Sequence, residues 1–249
     1  MYRDNSEIEK PNDDDRVWRY MDFTKFVSLL NNSALHFTRG DKLEDPFEGS
    51  FPRVNVQLRP RRYKGKMPPR EIKSLSEFYR QFVKHTFVSC WHLNTYQSAA
   101  MWKLYLQGNE GIAIRSTFGR LKGSLKKNKD HDVYIGKVKY IRYDKDVIPE
   151  GSLFPYFHKR RSFEHKKELR AVIQAFSYDN KGDIAWSRSP YGSGLNVPVD
   201  LKILIERVVL PPLCPSWQKG VVESVLSKYD LKKPVVRSTL YDKGERIVY

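Results

Sequence analysis

The sequence predicts an α+β fold, a single mixed domain with a central, largely antiparallel or split sheet and several short flanking helices. Short segments of alternating apolar and polar residues are separated by short amphipathic segments, a pattern that favours a mixed α+β domain over a regular doubly wound sheet. The chain has 249 residues, of which 40% are hydrophobic. It is therefore long enough to bury a large core.

The beginning of the chain is expected to form a strand, a helix and a second strand. Residues 1–15 are polar and mostly acidic, so we predict a mobile tail there and one domain over residues 16–249. Residues 17–20 and 34–38 have strand patterns. Between them, Asp22 is expected to cap a helix whose apolar residues recur at helical spacing.

A turn-rich loop over residues 39–50 carries Asp45 and Glu48 within the sequence DPFEG. Asp-Pro and Glu-Gly pairs are typical of turns, so these acids are interpreted first as residues that hold the loop. An acidic cluster in a basic protein also suggests a site that grips an internal arginine or a metal.

Residues 53–70 form the most basic segment, which we predict to be a long exposed loop. Its cations alternate with Tyr63, a pattern suited to phosphate contact and base stacking, although a solvated loop is the alternative. The candidate nucleic-acid-binding residues are Arg59, Arg61, Arg62, Lys64 and Lys66.

The middle of the chain is expected to contain two helices and two strands. Ser74 is predicted to cap the first helix, and a strand follows over residues 87–91. A short helix over residues 98–106, ended by Gly108, places Trp102 and Tyr105 on one face. These two side chains are either core residues or a platform for a ligand. A strand follows over residues 111–115.

Residues 158–176 combine a predicted helix, which begins after Ser162, with a strand over residues 171–176. Glu164 and Glu168 are four residues apart, so in a helix they share one face and repel each other unless a cation or a substrate lies between them. The alternative is a solvated amphipathic helix in which Glu164 pairs with Lys167.

The formal net charge of +16 favours nucleic acid or another polyanion as a partner. A basic surface that only maintains solubility is the alternative. No apolar run is long enough to span a membrane, and the N-terminus has no signal-peptide pattern, so we expect a cytoplasmic protein. Cys90 and Cys214 lie in no zinc-binding spacing.

Several motifs resemble the bacterial family known as domain of unknown function 2971. They are DPFEG, the MWxxY motif at residues 101–105 and the ExxxELR motif at residues 164–170, in the order in which they occur here. The resemblance covers nearly the whole chain from Trp18 onward. It implies no settled function.

The order of elements also resembles, more faintly, the ADP-ribosyltransferase superfamily, which uses NAD as a substrate. The resemblance implies that Arg19, with the adjacent Tyr20, binds the dinucleotide and that Trp102 or Tyr105 stacks on nicotinamide. It further implies that Glu168, with Glu164 nearby, supports positive charge on the ribose in the transition state. Such an enzyme would act on nucleic acid or on a target associated with nucleic acid. Its expected role would be that of a toxin or an antiviral defence effector.

Two other functions remain open. In a metal-dependent nuclease, Asp45, Glu48, Glu164 and Glu168 would converge around Mg²⁺. In a non-catalytic nucleic-acid-binding module, the acids would only hold arginines in place.

Overall fold

A computed structural model describes residues 1–105 and 110–242. Within these residues the strands are β1 (Tyr2–Arg3), β2 (Arg16–Asp22), β3 (Ala34–Arg39), β4 (Thr86–Leu93), β5 (Gly111–Thr117), β6 (Val133–Lys137), β7 (Lys139–Ile141), β8 (His158–Arg160), β9 (Glu168–Gln174), β10 (Gly194–Pro198), β11 (Arg207–Leu210) and β12 (Val235–Arg237).

The helices are short. They are α1 (Phe23–Asn32), α2 (Arg53–Arg62), α3 (Pro69–Gln81), α4 (Ala99–Tyr105), α5 (Phe118–Ser124), α6 (Leu201–Leu204) and α7 (Trp217–Lys228). Single turns of 3₁₀-helix occur between them, including one over Arg161–Lys166. The predicted helix end at Gly108 lies outside the described residues.

The chain divides into two compact units. Unit 1 contains residues 1–10, 36–90 and 129–196, and unit 2 contains residues 11–35, 91–128 and 197–249. In unit 1 the strand order is β1, β6, β9, β4, with β1 parallel and β9 antiparallel to β6. Strand β3 pairs antiparallel with β4, and β7 pairs parallel with β8.

Unit 2 is built around the long antiparallel pair of β2 and β5, whose register runs from Arg16 opposite Thr117 to Asp22 opposite Gly111. Strand β11 pairs antiparallel with β5 and parallel with β12. The core of this sheet is apolar, since Val17, Ile112 and Val208 are fully buried. The predicted α+β class, with a largely antiparallel sheet and short flanking helices, is confirmed.

Helix caps follow the sequence closely. The Asp22 carboxylate accepts a hydrogen bond from the backbone nitrogen of Lys25 at 2.7 Å, and α1 begins at the next residue. Asp200 caps α6 in the same way. Ser74, in contrast, lies inside α3, because this helix begins five residues earlier at Pro69, where a proline is favoured in the first turn.

The N-terminal segment, which we predicted to be a mobile tail, makes contacts in both units. In unit 1, Tyr2–Arg3 pairs with β6, and Ile8 is buried in an apolar cluster with Phe157 and Val172. In unit 2, the carbonyl oxygens of Asp13 and Asp15 accept hydrogen bonds from the start of α5. A few apolar and backbone contacts thus hold a segment whose composition is polar. The division into a tail and one domain over residues 16–249 remains a prediction.

The predicted basic loop over residues 53–70 is wrong in its secondary structure. Its first ten residues form α2, with Pro60 inside the helix, and its last two begin α3. Asn55 explains part of the difference. This buried side chain bonds both the backbone nitrogen and the carbonyl oxygen of Ile148, which fixes α2 against a distant part of unit 1.

The predicted helix through Glu164 and Glu168 is also wrong. The 3₁₀ turn ends at Lys166, and Lys167 has a left-handed backbone conformation with φ of 40°. Glu168 then begins β9, three residues before the predicted strand. The two glutamates consequently share no helical face. Within the described residues, no helix is long and apolar enough to cross a membrane.

Candidate functional site

Four charged side chains of unit 1 form a buried ion network. Glu48 lies in the loop after β3, Lys159 lies in β8, and Glu168 and Arg170 lie in β9. No more than 6% of any of these side chains is exposed. Two acids and two bases give the network a net formal charge of zero, which is the condition under which charges are tolerated in a protein interior.

Both cations of the network bridge both carboxylates. Lys159 Nζ donates to Glu48 Oε1 at 2.8 Å and to Glu168 Oε1 at 2.9 Å. Arg170 Nε donates to Glu168 Oε2 at 2.7 Å, while its Nη1 and Nη2 donate to Glu48 at 2.6 and 2.7 Å. Every carboxylate oxygen of the two glutamates therefore accepts a charged hydrogen bond.

The network keeps Glu168 and Arg170 ionised. Burial alone would raise the pKa of Glu168, but Arg170 and Lys159 outweigh burial and lower it to about 2. Burial disfavours the charged form of Arg170 as well, yet Glu168 and Glu48 hold its pKa well above the ordinary value. Near neutral pH, Glu168 can act as neither a proton donor nor a proton acceptor while these partners remain in place.

The DPFEG segment, residues 45–49, turns its acids inward and its aromatic ring outward. Asp45 is 1% exposed at its side chain and accepts hydrogen bonds from Arg160 Nη2 at 2.7 Å and Nε at 3.3 Å. Phe47, two residues later, is 41% exposed. Asp45 and Glu48 of this motif thus each hold an arginine, as one of the sequence interpretations expected.

A cleft of about 480 Å³ lies beside the DPFEG segment in unit 1. Its walls include Asp45, Glu48 and Gly49, and Tyr79 and Arg80 of α3. This volume is within the range of small-molecule sites. Asp45 and Glu48 in this wall are paired with buried or half-buried cations, and Asp41, which also lines the cleft, is paired with Arg39, so these three acids leave no free carboxylate in the cleft.

Arg59 is buried, although the sequence suggested that it binds nucleic acid. Its guanidinium lies 5.0 Å from the ring centre of Phe51 and 5.3 Å from that of Tyr79. Its Nη1 donates to Ser76 Oγ at 2.8 Å, and Glu150 lies 3.4 Å from its Nε. With 1% of its surface exposed, this arginine stabilises the packing of α2 against α3.

The other four candidate cations lie at the surface. Arg61, Arg62, Lys64 and Lys66 are all exposed, at the end of α2 and in the turn that follows it. Arg62 Nη1 is 3.5 Å from Glu150. In the described part of the chain, the remaining three have no carboxylate within ion-pair distance, so they are available to an anion.

Glu164 has a different environment from Glu168. It lies in the exposed 3₁₀ turn, and its carboxylate forms no ion pair with any residue that the structure describes. The predicted pairing with Lys167 is not formed. Of the two predicted catalytic acids, Glu164 is thus the one whose carboxylate is accessible.

The predicted NAD-binding residues belong to unit 2. Tyr20 and Trp102 pack edge to face with ring centres 5.0 Å apart, and they are 5% and 1% exposed. The Arg19 guanidinium lies over the ring of Trp91 at 5.7 Å. Tyr105 is 39% exposed. In this geometry Trp102 is a core residue that would have to be uncovered before it could stack on a ligand.

A metal centre finds no support in the donor geometry. Over residues 1–105 and 110–242, no group of three or more His, Cys, Asp or Glu side chains is arranged to hold a metal ion. The proposed Mg²⁺ ligands Glu48 and Glu168 are occupied by Lys159 and Arg170 instead.

Sequence reasoning missed Lys159 of the network and Arg160, which holds Asp45, and it missed the pairing of Arg170 with Glu168. One signal was present. Glu168 and Arg170 are two residues apart, and in a strand this spacing puts both side chains on one face. Assigning the segment to a helix concealed that relation.

Comparisons with known proteins leave the family open. No family model and no curated protein matches the chain, so the resemblance to domain of unknown function 2971 stays a prediction. Among solved structures, one that is similar is "Thermus sp. 2.9 DarT in complex with ADP-ribosylated ssDNA". The match has a TM-score of 0.41 and 9% identity, and it covers 92% of this chain and 96% of that chain. At these values the likeness assigns neither an activity nor site residues to this protein.

Proposed function

We propose that the protein binds nucleic acid through the exposed cations at the end of α2 and in the following turn. The observation that carries the proposal is a contrast within unit 1 between acids that are paired with internal cations and exposed cations that have no carboxylate partner among the described residues. Asp45, Glu48 and Glu168 are satisfied by internal cations, whereas Arg61, Lys64 and Lys66 lack a carboxylate partner among the described residues.

The charge balance of the whole chain supports the same function. Because the net charge is +16, a polyanion is attracted to the protein, and each phosphate that is neutralised by a lysine or arginine releases bound counterions. Exposed cations clustered within residues 61–66 concentrate that effect at one place.

The test is fluorescence anisotropy with labelled single-stranded DNA, single-stranded RNA and duplex DNA across a range of salt concentrations. Replacement of Arg61, Lys64 and Lys66 by Gln should weaken binding. For a single strand, it should also reduce the slope of log affinity against log salt by about 2, because three phosphate contacts are lost at about 0.7 each.

A matched control removes the same charge elsewhere. Lys126, Lys228 and Lys232 are exposed lysines of unit 2, and their replacement by Gln also lowers the net charge by three. If the two triple variants lose the same affinity, binding is diffuse and the proposed surface is wrong. No binding by the unmodified protein would overturn the function itself.

ADP-ribosyl transfer from NAD to the bound nucleic acid is a second candidate function, as the superfamily resemblance implies. The carboxylate of Glu164, which is exposed and forms no ion pair with any described residue, supports it. In such a reaction the bond between nicotinamide and ribose breaks, nicotinamide leaves, and a nucleophile of the nucleic acid bonds to the ribose and loses its proton. A carboxylate stabilises the positive charge that develops on the ribose.

Mass spectrometry of oligonucleotides incubated with the protein and NAD tests this second function. If Glu164 supplies the carboxylate, Glu164→Gln abolishes the mass increase of one ADP-ribose while the protein stays folded. An unchanged oligonucleotide mass with the unmodified protein would count against transfer. A cytoplasmic location and a role as a toxin or antiviral defence effector remain predictions from the sequence.

A further inference from the structure

Phe47 is presented to solvent by the two acids that flank it in sequence. Asp45 binds Arg160, and its Oδ1 also accepts a hydrogen bond from the backbone nitrogen of Phe47 at 3.1 Å. Glu48 binds Lys159 and Arg170. With anchors on both sides, the backbone at Phe47 is fixed, and yet 41% of the residue remains exposed.

The ring of Phe47 is supported from within unit 1. The Arg160 guanidinium lies over it at 4.3 Å from the ring centre, and Tyr143 packs against it edge to face at 5.4 Å. Because Asp45 holds Arg160 through two hydrogen bonds, the guanidinium and the ring form a preorganised pair. A planar ligand that stacks there would order few side chains on binding.

Cations surround a second ring nearby. Phe163, in the 3₁₀ turn, lies 5.3 Å from the Arg160 guanidinium and 5.3 Å from Lys166 Nζ. Arg161, which lies between Arg160 and Phe163 in sequence, is exposed and forms no ion pair with any described residue. The surroundings of Phe47 thus combine a partly exposed aromatic ring with three cations, of which Arg160 is paired with Asp45 and Lys166 with Glu44 at 3.2 Å, while Arg161 has no carboxylate partner among the described residues. An aromatic ring beside an available cation is the combination that binds unpaired bases and their phosphates.

We propose that Phe47, backed by Arg160, is a stacking platform for an unpaired base of single-stranded nucleic acid. This inference rests on the proposed nucleic-acid binding and narrows its substrate class from any polyanion to single strands with accessible bases. In a duplex the base faces are covered by neighbouring bases, so the platform discriminates against double-stranded ligands.

The test compares an intact single-stranded oligonucleotide with one of the same length in which every base is absent. Phe47→Leu should weaken binding of the intact strand about tenfold, since stacking on one aromatic ring contributes on the order of 1–3 kcal/mol per base. It should leave the abasic strand unaffected. Phe47→Trp, which keeps an aromatic face, should restore affinity for the intact strand.

Trp217→Ala is the control, because Trp217 is a 60% exposed aromatic residue of unit 2. It should leave both affinities unchanged. The platform is overturned if Phe47→Leu affects neither ligand, or affects the abasic strand equally. In either case a salt-dependent loss in the Arg61, Lys64 and Lys66 variant would still uphold nucleic-acid binding, so the two proposals fail separately.

Discussion

Two basic segments of unit 1, residues 53–66 and 158–170, have similar compositions and different environments. Each contains six Lys and Arg residues. Of these cations, Lys159 and Arg170 are buried in residues 158–170, whereas in residues 53–66 Arg59 is the one buried cation. The difference lies in the carboxylates that the fold brings to each cation, and it teaches that local basic composition does not identify a binding surface.

Arg59, the buried cation of residues 53–66, is also explained by the partners that the fold brings to it. Arg59 is buried where it meets Ser76, Glu150 and two aromatic rings. Its neighbours Arg61 and Lys64, which meet no such group in the described residues, stay exposed. Burial of an ion requires compensation from partners, and partners are supplied by the tertiary structure.

The largest expected effect is on the buried network. Arg170→Met should lower the free energy of unfolding by about 3–5 kcal/mol. The two buried carboxylates of Glu48 and Glu168 would then share one buried cation, Lys159, and one negative charge would remain uncompensated in the interior. Urea unfolding monitored by tryptophan fluorescence measures this loss of stability, with Arg61→Met as the exposed control. Equal stability of the two variants would show that the network is not a stabilising feature.

The next effect is the pH dependence of stability. The pKa of Glu168 is lowered from 4.5 to about 2 in the folded protein. A lowered carboxyl pKa adds stability above the unfolded pKa, and that stability is lost as the pH falls from about 4.5 towards 2. The full loss is on the order of 3 kcal/mol, at 1.36 kcal/mol for each pKa unit.

Urea unfolding at pH 7, 4.5 and 3 checks this dependence. Glu168→Gln should flatten the loss of stability with acid, whereas Glu164→Gln, an exposed neighbour in sequence, should leave it intact. A parallel acid loss in both variants would contradict the role given to Glu168.

A smaller effect is expected at Arg59. Arg59→Lys should destabilise the protein by about 1–3 kcal/mol, because an ammonium group cannot reproduce the planar contacts with Phe51 and Tyr79 or the bond to Ser76. Arg62→Lys is the control on the same helix. Thermal unfolding measures both. If Arg59→Lys leaves stability unchanged but weakens binding to nucleic acid, then Arg59 is a surface residue in solution and its burial is wrong.

The smallest effect on stability should come from the exposed cations. Replacement of Arg61, Lys64 and Lys66 by Gln should leave the urea midpoint nearly unchanged, because surface substitutions rarely matter to folding. A large destabilisation would mean that these residues, like Arg59, have structural partners, and the contrast between the two segments would disappear.

Much of the architecture could be predicted from the sequence, because its determinants are local. The alternation of residues 34–38 and the capping acids Asp22 and Asp200 act within a few residues, so strand and helix positions follow from spacing. The motif acids Asp45 and Glu48 were also recognised as possible grips for an internal arginine. Charge alone suggested a polyanionic partner.

The tertiary structure decided the environment of each charge. The left-handed conformation at Lys167 ends the turn and places Glu168 in a strand, where it meets Lys159 and Arg170, and no local pattern specified that change. Arg59 and Arg61, two residues apart in one basic run, became buried and exposed for the same reason. The sequence determined which charges are present, and long-range packing determined which of them are neutralised, because desolvation and pairing depend on neighbours distant along the chain.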